Sequence, residues 1–98
     1  MKPAVDVVEK ENAFELTAEL PGLDAKNIEL SLQDDVLTIK GEKNEEKTRD
    51  RFVSERRYGS FRRSLQLPVS VDPAKIEASY KSGVLSVKLP KSEEAKKK

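Results

Sequence analysis

The amino-acid sequence predicts an all-β sandwich, and three observations carry that expectation. Apolar residues recur at every second position in short runs, Gly, Pro and Asp interrupt those runs at close spacing, and helical apolar stripes are nearly absent. A chain of 98 residues is one domain, large enough for a two-layer core.

The elements follow in order. Val5 to Lys10 is a short β-branched run, and Ala13 to Leu20 alternates with Phe14, Leu16, Ala18 and Leu20 on one face, so the pair reads as a hairpin. Pro21-Gly22 ends it, because Pro then Gly suits the central positions of a type II turn and only Gly takes positive φ without steric cost. Leu23 to Lys26 is a loop or one helical turn that Asp24 could cap. Asn27 to Gln33 places Ile28, Leu30 and Leu32 on one side, Asp34-Asp35 turns the chain, and Leu37 and Ile39 continue the phase over Val36 to Lys40. From Gly41 to Arg51 charges of both signs crowd without an apolar face, which reads as an exposed loop longer than an ordinary hairpin connection. A helix over Glu45 to Tyr58 is the competing reading, but Phe52, Val53 and Tyr58 make a poor stripe.

Arg51-Phe-Val-Ser54 is an apolar island in that loop, long enough to add a strand to a neighbouring sheet; the plainer reading is a residue pair pinned to its own core. Ser60 to Leu67 alternates with Phe61, Arg63, Leu65 and Leu67 in phase, so Arg63 falls on the apolar face. A guanidinium there must be paired, or its strand must sit at an interface. Pro68 ends the strand, and Val69 to Lys75 is a loop containing Asp72-Pro73. Ile76, Ala78 and Tyr80 share one parity and Leu85, Val87 and Leu89 another, on either side of a tight Ser82-Gly83 connection, while Pro90 lacks the N–H for further ladder pairing. About eight short strands result.

Lys and Arg number 19 against 18 for Asp and Glu, so a net charge of +1 exerts no overall pull towards nucleic acid or anionic membrane. With no His and no Cys, the usual general base, the catalytic triads and the thiolate or imidazole metal sites are excluded. Asp34-Asp35 and Glu45-Glu46 read as solvated turn and loop residues, and the 4 Gly are too scattered for a phosphate loop. Arg56 to Arg63 mixes cations with aromatics as a single-strand nucleic-acid platform would, but Phe61 lies in core phase and Glu55 is adjacent, which favours an ion-pair network. Neither enzyme activity, cofactor, metal nor nucleic acid is expected. The absence of Cys, of an apolar leader and of any run near the roughly 20 apolar residues of a membrane helix fits a soluble, cytoplasmic protein without membrane contact.

Four segments in this order carry a resemblance: Glu19-Leu-Pro-Gly22; Asp35-Val-Leu-Thr-Ile-Lys-Gly41; Glu55 through Pro68 with its Arg-Arg-Tyr-Gly-Ser-Phe-Arg-Arg core; and Ala78 through Leu85 with its Gly-Val-Leu. From about Val5 to Pro90 the chain resembles the α-crystallin domain of small heat-shock proteins of the bacterial and plant type. That resemblance implies an immunoglobulin-like sandwich whose long loop carries a strand exchanged between the subunits of a homodimer. It also implies a holdase that binds unfolding client proteins without ATP. By it, Arg51, Phe52, Val53 and Arg63 belong to the dimer interface, and Ile28, Leu30, Ile76 and Ala78 line a groove that takes extended apolar segments such as the family's Ile-x-Ile/Val tail.

Within this frame residues 1–4 are a short remnant, 5–90 the domain and 91–98 a charged flexible tail, with Gly22 and Gly83 as turn residues. The short lead before Val5 and the lack of Ile-x-Ile in the tail lead us to expect a dimer without the arms for higher assembly. The alternative is a non-chaperone adaptor that docks one folded partner on the same sandwich; it would lack the exchanged strand and be monomeric.

Overall fold

The computed structural model describes residues 4–48 and 54–96. The described residues form seven strands: β1 (Val5–Glu9), β2 (Ala13–Glu19), β3 (Ile28–Gln33), β4 (Val36–Thr48), β5 (Ser54–Gln66), β6 (Glu77–Lys81) and β7 (Val84–Pro90). They form two antiparallel sheets, one ordered β1-β2-β7-β6 and the other β3-β4-β5. The architecture is an all-β sandwich.

Alternation explains the packing. Phe14, Leu16 and Ala18 of β2 and Leu85, Val87 and Leu89 of β7 point inward from the first sheet, and Leu37 and Ile39 of β4 with Phe61 of β5 point inward from the second; all are buried in one cluster. Leu20, Leu23, Leu67 and Val71 close its ends from the connections.

Two tight turns use left-handed backbone. Asp34 and Asp35 have φ of 52° and 63° between the paired Gln33 and Val36, and Ser82 and Gly83 have 52° and 78° between the paired Lys81 and Val84. Both central residues at positive φ match the hairpin turn that favours Asn-Gly. Ser82 is exposed and gains nothing from its strained φ, so Ser82→Asn is expected to stabilise the fold by about 0.5 kcal/mol, read as a higher urea midpoint at unchanged slope. Gly22 has φ 82° after Pro21, the type II position.

The charged stretch read above as a loop is a correction. Residues 42–48 continue β4 and pair with the start of β5, which begins at Ser54 and not at Ser60. The register sets residue 45 opposite 57, 46 opposite 56 and 47 opposite 55, so the ladder continues through a stretch without apolar alternation. The competing helix over 45–58 is absent from its described residues. The thirteen-residue strands β4 and β5, each about 43 Å long, account for principal extents of 63 × 23 × 21 Å.

The two ends of the sandwich differ. At one, the hairpin arm departs beside Lys26 and Asn27, which share a cleft with Gly41 and Phe61. At the other, the segment expected as a flexible tail is bonded to the body. Lys91 N–H donates to the Asn12 carbonyl at 2.8 Å, Ser92 N–H to the Ser70 carbonyl at 3.0 Å, and Ser92 Oγ accepts from Ala95 N–H at 3.2 Å, opening the one-turn helix α1 (Glu93–Lys96). Lys91 Nζ adds an ion pair to Glu9 at 2.8 Å and lies 5.3 Å from the Phe14 ring centroid.

Candidate functional site

The sheets diverge at the seam where β6, an edge of the first, meets β3, an edge of the second. There a cleft of about 190 Å³ is lined by Ala25, Ile28, Leu30, Ala78, Ser79, Tyr80 and Leu85. Inward parity brings Ile28 and Leu30 to it from one sheet and Ala78 and Tyr80 from the other. Ile28 and Leu30 are half-buried, and Ala78 is exposed. Ile76 stands just before β6, half-buried against the core, and is not among the lining residues. Of the four groove residues named from sequence, three thus share one cleft. Tyr80 was missed although its parity with Ala78 is visible in the sequence.

Tyr80 does more than line the wall. Its hydroxyl donates to the Leu20 carbonyl and accepts from Leu23 N–H at 3.3 Å, and Leu20 N–H donates to the Gly83 carbonyl at 2.7 Å. The β6–β7 hairpin is therefore tied to the connection that carries the chain from β2 in one sheet to β3 in the other.

A second feature is the outer edge of β1. Glu19 N–H donates to the Ala4 carbonyl and Lys10 N–H to the Ala13 carbonyl. Antiparallel alternation then directs the N–H groups of Val5, Val7 and Glu9 away from β2, where no strand pairs with them among the described residues. Val7 and Val8 are 38% and 47% exposed, the most open large hydrophobic residues among those described. An unpaired edge bearing exposed valines is a template for strand addition. The short β-branched run of β1 was the only sequence signal for it.

Arg63 lies on the edge strand β5, opposite the fully buried Ile39 in register, so it shares the inward face of its sheet. It is exposed because β5 borders the sandwich. Arg51, Phe52 and Val53 lie outside the described residues. Among those described, no helix is long and apolar enough to cross a membrane.

The model of the Hsp20/alpha crystallin family matches residues 6–98. The chain belongs to that family. A small heat shock protein of Rickettsia felis is 42% identical over 101 residues, covering 100% of this chain and 62% of its own length. Heat shock protein 16 of Schizosaccharomyces pombe is 36% identical, with 100% and 72% covered. The chain thus spans about three-fifths of the Rickettsia relative. Among solved structures, heat shock protein 16.0 from Schizosaccharomyces pombe superposes with a TM-score of 0.79 at 35% identity, covering 95% of this chain and 89% of that one. A small heat-shock protein from Xylella fastidiosa gives 0.71 at 43%, covering 93% and 86%. Membership of the Hsp20/alpha crystallin family supports a chaperone role in general.

Proposed function

We propose that this chain is a holdase domain that acts without ATP as a homodimer, holding unfolding proteins in an apolar cleft of the sandwich. The observation that carries the reading is the β3–β6 cleft. It is an open apolar seam flanked by two strand edges, which suits an extended segment that offers backbone hydrogen bonds along its length and alternate side chains to the cleft. Light scattering of a heat-unfolding client tests it: suppression of aggregation without nucleotide is expected, and no suppression at any ratio by the folded chain would remove the holdase reading.

The dimer belongs to the same proposal. The charged arm of one subunit reaches the bare β1 edge of the other, Arg51, Phe52 and Val53 belong to that interface, and Arg63 meets a carboxylate across it. Val7→Pro deletes an outward N–H while Asp6 and Val8 keep the bonds to β2. Its expected effect is an approximately tenfold weaker dimer by sedimentation equilibrium. An unchanged dissociation constant would exclude the β1 edge as the interface.

A further inference from the structure

We infer that Tyr80 is the positioning residue of the β3–β6 cleft, setting the gap into which an extended apolar segment fits. The inference rests on the reading of that cleft as a peptide groove. The argument starts from which elements must move if the cleft changes width. Its two walls belong to different sheets, and no backbone ladder joins β3 to β6. Their spacing is therefore left to connections and side chains. The covalent link into β3 is residues 20–27, of which Ala25 itself lines the cleft.

Tyr80 bridges the seam. Its ring forms part of the wall on the β6 side, and its hydroxyl is bonded to the Leu20 carbonyl and the Leu23 amide on the connection into β3. Leu20 and Leu23 are themselves buried, at 0% and 8% exposed, so the anchor does not yield with the surface. The Leu20–Gly83 bond fixes the far end of β6 to the same point. Ring and hydroxyl act together: an aromatic group fills space, and its polar tip holds the ring in one place. Phe at this position keeps the apolar wall and loses the tether, leaving Leu23 N–H and the Leu20 carbonyl without that partner. The cleft is then a range of widths, and a ligand must order it on binding.

The test uses the full chain and a fluorescein-labelled nonapeptide with an Ile-x-Ile centre, followed by anisotropy well below the melting temperature. Wild type is expected to bind, and Tyr80→Phe to bind about three- to tenfold more weakly with its far-UV circular dichroism unchanged and the Leu23 amide exchanging faster. Pro21→Ala, which loosens the same anchor from a residue outside the cleft, is expected to move affinity in the same direction. A merely structural role for Tyr80 would lower the melting temperature and leave the affinity of the folded protein alone. Equal affinities for wild type and Tyr80→Phe would overturn the role of Tyr80 while keeping the groove. No binding by wild type would overturn both.

Discussion

Phe61→Ala is expected to lower the free energy of unfolding by about 3 kcal/mol, and Gly41→Ala by about 2 kcal/mol, yet the double variant should cost far less than their sum. The two residues are register partners on β4 and β5, and the buried Phe61 ring lies over the bare Gly41 backbone. A Cβ at residue 41 would fall within the ring, against Cε1 and 2.7 Å from Cζ. The ring would have to leave its site, so each single change forfeits the same packing. Once Phe61 is gone, Ala at residue 41 meets no ring and gains the ordinary advantage of Ala over Gly in a strand. Urea unfolding of the four proteins measures the coupling; strictly additive costs would mean that the ring has another place to go. Because this contact sits where the hairpin arm leaves the sandwich, the same variants should weaken self-association.

Phe14→Ala is the second large effect, about 4 kcal/mol. Phe14 is 2% exposed on β2, an inner strand of the first sheet, paired with Leu89 on one side and Glu9 on the other, so its removal opens a cavity beside strands that are held by ladders on both flanks. Lys91, whose ammonium lies over the ring, loses that contact as well. A fall of less than about 2 kcal/mol in urea unfolding would show that the sheets close over the gap.

Phe14, Leu16, Leu37, Ile39, Leu85 and Leu89 could be assigned inward from alternation alone, because a strand with one buried face writes that face into every second residue. The turn residues were equally readable, since positive φ selects a short list of side chains. The arm was not. Residues 42–48 carry no apolar alternation in the sequence, and their pairing is visible only once residue 45 is known to stand opposite residue 57. Lys91 and Ser92 escaped for a related reason, as their partners Glu9, Asn12 and Ser70 are distant in the chain. At the cleft, parity brought Ile28, Leu30 and Ala78 within reach, but the hydroxyl contacts of Tyr80 span 57 and 60 residues and leave no periodic trace.

The unlike ends of the sandwich decide how the protein can be handled. The Asp35 turn, Ser70 and α1 gather at one end, while the departing arm, the residue 20–27 connection and Ala4 just ahead of β1 gather at the other. A tether fused beyond α1 therefore presents the arm to the solution. A handle ahead of Ala4 stands beside the arm and crowds it.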